Sequence, residues 1–448
     1  MLIAKAANTN SRELSRPIIN HRAEKIRGLF EKQKPDRTWS FEGYTPSQTG
    51  KWSHSYHRYP AKFIPQLVEN LIDKYVTTNT AHINDPFMGS GTTIVTAISR
   101  GFKASGTDVN GIAFLMTKVK ATPIEPDLLE EKIKCFLSDL SPHSTTKPFI
   151  PKAHLERIDY WFDGRNKFEL GKILATIQKE KNDACREFLL VAFSHILKNC
   201  SIWLQKSNKP TRDLQKIPED PYQALQRHLK KMQRGNKQFY EIVPAKTREY
   251  LQDYLNIQLG DARKQPADKE SVDLVVTSSP YVTSYEYADL HQLSTIWLEF
   301  SDDLKQYRKE FIGTSYKAYE EIILDGEIAL SIVDEMKEHS PKMAKEIEAF
   351  FLDMQEVFTD SYRILKKGGR CCYVIGNTAL RGVNIYNGEA FAEGLELAGF
   401  RLDDVITREI PSKILPQTRD EKTGRFASSK KANALAYPHE YIIVGYKR

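Results

Sequence analysis

The chain is 448 residues long, 40% hydrophobic and 10% aromatic, which suffices for a sizeable core and excludes a disordered chain. Lys and Arg outnumber Asp and Glu by 65 to 58, a net charge of +7, so only the distribution of charge, and not its total, could indicate a polyanionic partner. Five scattered cysteines, Cys135, Cys185, Cys200, Cys371 and Cys372, exclude a disulfide framework and, with no C-x-x-C pair among them, a zinc site.

Residues 1–50 are polar and rich in Pro and Gly, and they read as an N-terminal arm with one helix near Ala23–Lys34. No apolar run approaches the ~18 residues of a membrane span, and the first residues lack a secretory signal. A cytoplasmic protein without membrane contact is expected. Residues 61–76 carry Ile64, Leu67, Val68, Leu71 and Ile72 at helical spacing. A strand over His82–Pro86 runs into the turn Asp85-Pro86-Phe87-Met88-Gly89-Ser90-Gly91-Thr92-Thr93, then a helix over Thr92–Arg100 stopped by Gly101, then a strand over Lys103–Asp108. Strand, glycine turn, helix and strand make a βαβ unit and so a parallel sheet. Residues 121–250 read as helix and polar loop. Strands resume at Tyr254–Leu259 and Val272–Thr277, helix returns over Asp302–Phe358, and further strands follow at Arg370–Gly376 and His439–Lys447. The expected division is the arm 1–50, a first part of an α/β core at 51–120, a helical insertion at 121–250, and a second part of the core at 251–448 with its own helical insertion at about 302–358.

The glycine turn carries the first chemistry. Glycines let backbone N–H groups approach a ligand, and the helix start behind them adds positive potential. A Walker loop would need a lysine after its glycine, and the G-x-G-x-x-G fingerprint is incomplete. An acid, Asp85, stands immediately before the turn. A carboxylate there repels phosphate and suits an amine-bearing ligand, while Asp108 at the next strand end suits ribose hydroxyls. An amine at one end and a ribose at the other describe S-adenosyl-L-methionine (AdoMet) better than a dinucleotide.

The second motif is Val275-Val276-Thr277-Ser278-Ser279-Pro280-Tyr281, an apolar strand entering a proline-stiffened polar turn. This turn resembles that of the DNA amino-methyltransferases, which must accept hydrogen bonds from an exocyclic NH2 group and so free a lone pair delocalised into the base. A Ser278 hydroxyl and a Ser279 carbonyl at fixed separation can do this. Pro280 fixes φ, and Tyr281 offers a face on which an extruded base stacks.

DPFMGSGTT resembles the DPFxGSGTT motif of the DNA amino-methyltransferases, and Ser278-Ser279-Pro280-Tyr281 resembles their SPPY motif with Ser279 in place of the first proline. The upstream segment His57–Ile72 resembles the stretch these enzymes place before the cofactor strand. The resemblance implies a Rossmann-like α/β AdoMet-dependent methyltransferase core with a largely parallel sheet and helical insertions. It further implies a cofactor site of Asp85, Pro86, Phe87, Gly89, Ser90, Gly91, Thr92 and Asp108, with Asp261 of LGDAR near the adenine. Ser278, Ser279, Pro280 and Tyr281 would be catalytic, with no metal. The SPPY form is associated mostly with cytosine N4, whereas adenine-N6 enzymes more often carry Asp or Asn at the first position. Cytosine-N4 methylation of double-stranded DNA is therefore the expectation, in a restriction-modification or defence setting with a cognate restriction endonuclease as partner. Adenine-N6 methylation, RNA methylation and an inactive DNA-binding scaffold are the alternatives.

Charge supports a nucleic-acid partner locally. Between Lys206 and Arg248 eleven basic residues face four acids, and between Arg408 and Lys431 seven face three. Lys209, Arg212, Arg227, Lys230, Lys231, Arg234 and Arg425 are the expected phosphate contacts. His57 and His291 have no partners at metal-ligand spacing and read as structural.

Overall fold

The computed structural model describes residues 21–60, 62–140, 145–207, 209–282, 287–312, 323–409, 418–419, 434–435 and 439–448. Seven strands form the main sheet: β1 (His82–Asp85), β2 (Lys103–Asp108), β3 (Leu255–Leu259), β4 (Val272–Ser278), β5 (Leu365–Ile375), β6 (Arg401–Glu409) and β7 (His439–Tyr446). Their spatial order is β3-β2-β1-β4-β5-β7-β6. The first five are parallel, and β7 runs antiparallel to both β5 and β6. This is a doubly wound α/β sheet whose order reverses between β1 and β4, the position where such sheets open a ligand crevice at the carboxyl ends of their strands.

Helices cover the sheet as their apolar spacing requires. α1 (His21–Lys32) falls close to its expected place in the arm, and its Phe30 meets Tyr441 of β7 edge-on at 5.0 Å. α2 (Pro65–Tyr75) buries Leu67, Val68, Leu71 and Ile72. α3 (Thr92–Ser99) is buried along its whole length and shares one core cluster with α2 and with Leu274 and Val276 of β4. α4 (Gly111–Ala121) follows β2. Helices dominate the described residues of 126–254, including α5 (Asp183–Leu197) and α6 (Pro221–Ile242), with an irregular loop over 198–220 between these two. Their apolar residues form a second cluster around Trp161, Phe188, Phe193 and Trp203. α7 (Pro341–Ile364) and α8 (Asn387–Leu397) complete a third cluster against β5 and β7.

Three expectations need correction. The strand at Arg370–Gly376 begins earlier, at Leu365, and takes in Gly368 and Gly369; its pairing with β4 shifts register between Val272 and Leu274. Helix over 302–358 is broken: it comprises Leu304–Arg308, Glu327–His339 and α7, and 313–322 lie outside the described residues. β6 escaped sequence reading because five of its nine residues are charged, which masks the alternation of a half-buried strand. Its Arg408, counted above in a basic stretch, is only 6% exposed and faces Glu440 of the neighbouring strand at 3.8 Å.

Gly106 pairs with Asp85 across β1 and β2, and a Cβ at Gly106 would lie 2.6 Å from the Asp85 carbonyl oxygen. Gly106→Ala should therefore cost about 1–3 kcal/mol of stability in urea unfolding, because backbone must move. An unchanged midpoint would show that β1 and β2 can separate freely.

Candidate active site

Parallel pairing puts the carboxyl ends of β1 to β4 along one edge, so residues distant in sequence converge. A cleft with a volume of about 140 Å³ opens there. Asp85, Pro86, Phe87, Gly89, Ser90 and Thr92 line it from the first turn, Asp108 from the end of β2, and Asp261 from the loop after β3. Ser278, Pro280 and Tyr281 line it from the end of β4. Gly91 and Ser279 do not line it. Gly91 adopts φ +79°, and a Cβ there would lie 2.7 Å from the Thr117 hydroxyl, so this glycine shapes the turn and seats it on α4. Ser279 is 2% exposed; its N–H donates to the Val374 carbonyl at 3.1 Å, and its buried hydroxyl has no partner among the described residues.

The acids are held before any ligand arrives. The Asp85 carboxylate accepts from the Phe87 N–H at 3.1 Å. Burial pushes its pKa up to about 7, opposed by the Thr277 and Thr93 hydroxyls and the Phe87 amide, and Asp108 pushes it further. Asp108 is pushed up to about 6, again by burial, while the Asn110 and Gly89 amides hold it down. Its two oxygens accept from the N–H of Gly89 at 2.8 Å and of Asn110 at 2.9 Å. Asp108 thus ties the glycine turn to the end of β2 and keeps lone pairs for a further donor. Asp261 is clasped by its neighbour Arg263, whose guanidinium also reaches the fully buried Asp353 at 2.7 Å.

Tyr281 is fixed as well. Its hydroxyl donates to Glu440 Oε1 of β7 at 2.9 Å, and a Cβ on Gly376 would lie 3.4 Å from its ring. The ring therefore stands at the cleft wall, anchored through its hydroxyl to β7.

Sequence reasoning missed several lining residues: Tyr59, Lys62 and Phe63 before the cofactor strand, and Arg308, Phe311 and Ile312 after the catalytic turn. The segment around 300–312 is fastened to the Asp108 turn, for the Tyr307 hydroxyl accepts from the Gly111 N–H at 2.9 Å and donates to Asn110 Oδ1 at 3.1 Å. No short motif marks that segment; only the acceptor-rich turn it meets could have pointed to it. His57 is buried, with ring nitrogens 2.8 Å from the Arg58 carbonyl and 3.0 Å from the Ser194 hydroxyl, and His291 stacks on Tyr59 at 5.1 Å.

Of the expected phosphate contacts, Arg227, Lys230, Lys231 and Arg234 lie exposed on α6. Lys209 and Arg212 sit in the exposed loop before it, where Arg212 covers the Tyr160 ring at 4.3 Å. Arg227 is paired with Glu219. Arg425 lies outside the described residues.

Comparison with known proteins agrees with this geometry. A family model described as DNA methylase, of the N6/N4 amino-methyltransferase kind, matches residues 3–115. The chain is 26% identical to the Type II methyltransferase M.MvaI of Kocuria varians over 429 residues, which are 89% of this chain and 94% of that protein. It is 32% identical to M.MjaII of Methanocaldococcus jannaschii over 121 residues, 25% of this chain and 22% of the relative. To M.BsoBI of Geobacillus stearothermophilus it is 21% identical, over 73% of this chain and 75% of that one.

The Asp85 carboxyl ionises near 3.8 when unfolded and near 7 when folded. Ionisation between those values favours the unfolded chain, so the penalty is small near pH 4 and complete above about pH 7. Asp85→Asn should stabilise the ligand-free protein by on the order of 2 kcal/mol above pH 7 and by little near pH 4, read as thermal unfolding at both. An equal effect at both pH values would locate the penalty elsewhere.

Proposed function

This chain belongs to the DNA amino-methyltransferase family, and on that premise we propose that it methylates the exocyclic N4 amine of cytosine in duplex DNA, as the modifying half of a restriction-modification or defence system. One observation carries the reading: the three acids and the serine-tyrosine turn line a single cleft. A phosphate-rich dinucleotide would meet Asp85 and Asp108 unfavourably.

The cofactor is S-adenosylmethionine, which when bound supplies a methyl group on a sulfonium. The residues present suit it. Asp85, buried behind the turn, pairs with its ammonium. Asp108 accepts from its ribose hydroxyls, and Asp261, oriented by Arg263, faces its adenine. Pro86, Phe87, Gly89, Ser90 and Thr92 shape the walls, and Ser90 brings a buried hydroxyl with no partner among the described residues.

At the other end Tyr281 stacks on an extruded cytosine. The Ser278 hydroxyl and the Ser279 backbone carbonyl would accept hydrogen bonds from its amine, localising the nitrogen lone pair for the methyl group that the bound cofactor would supply, while the amine proton would leave to solvent. The serine-first turn supports cytosine over adenine; adenine N6 is the second reading. Sequencing the DNA of a host that expresses the protein distinguishes them, with N4-methylcytosine in a fixed short motif expected and N6-methyladenine overturning the base assignment.

Ser278→Ala and Tyr281→Ala should each slow single-turnover methyl transfer by two to three orders of magnitude, about 2.7–4 kcal/mol, with AdoMet affinity nearly unchanged in calorimetry. Ser279→Pro would delete the bond from its N–H to the Val374 carbonyl, so it should lower stability by about 1 kcal/mol while sparing the carbonyl. A proline variant as stable as wild type would show that this strand link contributes nothing. Asp85→Ala should weaken AdoMet binding by about 1.5–3 kcal/mol, and unchanged affinity would remove Asp85 from the site.

A further inference from the structure

We propose that Arg58, Lys62, Lys231 and Arg234 form a phosphate clamp at the mouth of the cleft, gripping the backbone of the DNA strand that delivers the target base. This rests on the reading of the cleft as a base-methylating site and adds where the strand is held.

Two distant segments build the clamp. Arg58 and Lys62 belong to the stretch before the cofactor strand, and Lys62 lines the cleft itself. Lys231 and Arg234 belong to α6, which docks directly on that stretch. The His228 ring bonds the Tyr56 carbonyl at 2.7 Å, and a Cβ on Gly235 would lie 2.5 Å from the Trp52 carbonyl oxygen. Lys231 and Arg234 fall between these two backbone contacts, and residues 227, 231 and 234 share a helix face.

The four cations crowd one another. Burial, then Lys231, pushes the Lys62 ammonium down to about 8. Lys231 is lowered by burial and then by Arg58 and Arg234. Arg58 is also lowered by burial, with Glu219 opposing. That acid is occupied: Arg227 pairs with one of its oxygens, and the Asn199 amide donates to the other at 2.8 Å. Arg58 in turn donates to Asn199 Oδ1 at 2.9 Å, and Lys62 to the His54 carbonyl at 2.9 Å. Both side chains are thus held in place by neutral acceptors, which leave their charge uncompensated. Like charges at close range favour an arriving anion.

The cleft lining presents Asp85 and Asp108 at the strand ends and Lys62 on the stretch against which α6, carrying Lys231 and Arg234, is docked. A phosphodiester is held at the cations, and a neutral base enters the cleft. This is the separation that base extrusion requires, because the base must enter while its backbone stays outside.

The test uses the full-length protein and a fluorescently labelled DNA duplex of mixed sequence, titrated across a series of salt concentrations. Arg58→Gln, Lys231→Gln and Lys62→Met (which keeps the apolar stem) should each reduce the slope of log affinity against log salt by about 0.9. The conservative Arg58→Lys and Lys231→Arg should restore it, which a merely structural role would not predict. Calorimetric AdoMet affinity should survive in Arg58→Gln and Lys231→Gln. Slopes equal to wild type, in an enzyme that still methylates DNA, would overturn the clamp and leave the function standing. A wild-type protein that neither binds AdoMet nor methylates would instead overturn the underlying reading. Preferential loss of affinity for an RNA of the same sequence would overturn the DNA assignment.

Discussion

Everything in this molecule depends on the side-by-side parallel pairing of β1 and β4. Ile83 and Asn84 pair with Leu274 and Val275, which fixes the end of the strand bearing Asp85 beside the end of the strand bearing Ser278. A parallel ladder needs long crossover connections, and here the crossover is long enough to hold the helices of 126–254. The cost of bringing distant segments together grows only slowly with loop length, so so large an insertion between paired strands is thermodynamically tolerable. Asn84, buried in β1, reinforces the junction by donating to Gln265 at 2.7 Å and accepting from Ser105 at 2.7 Å.

The acids set up a tension between stability and chemistry. Asp85 and Asp108 are buried where ionisation is disfavoured, and each is pushed up mainly by that burial. Polar groups held in apolar surroundings without full compensation are where folding energy is given up for function. The glycine turn absorbs the geometric side of this arrangement: Gly89 sits at φ +49°, with a Cβ position 3.2 Å from the Tyr59 ring, and no other residue would fit without displacing that ring.

Much of this was legible in the sequence, and the reasons differ by element. β1, β2 and α3 were readable because apolar runs, a glycine turn and acids at strand ends coincide over one stretch. That Asp85, Asp108, Asp261 and the turn at Ser278–Tyr281 meet at one cleft followed from acids and a polar turn placed at strand ends. β6 was not readable, since charged residues within it are taken up by partners on other strands, as Asp403 is by Arg370 of β5 at 2.8 Å. Lys62 and Arg308 were equally silent, because a lone cation beside a motif has the same sequence signature whether it faces solvent or a cleft. Ser279 was expected among the site residues but is buried off the cleft wall, and its N–H bond to the Val374 carbonyl depends on β5, whose register no local pattern specifies.

The apolar cluster of the helical region is not self-contained. It includes Tyr56, Ile112 and Met116, which belong to segments flanking the cofactor turn, and Ile296 and Trp297, which follow the catalytic turn. Recombination between relatives that exchanged only the helices would strip cover from those five side chains and present mismatched shapes to them. Change in these helices must therefore fall on their solvent face or be matched by change across the whole packed block. The seam along which such proteins can be shuffled runs through the interior of the fold and not along its loops.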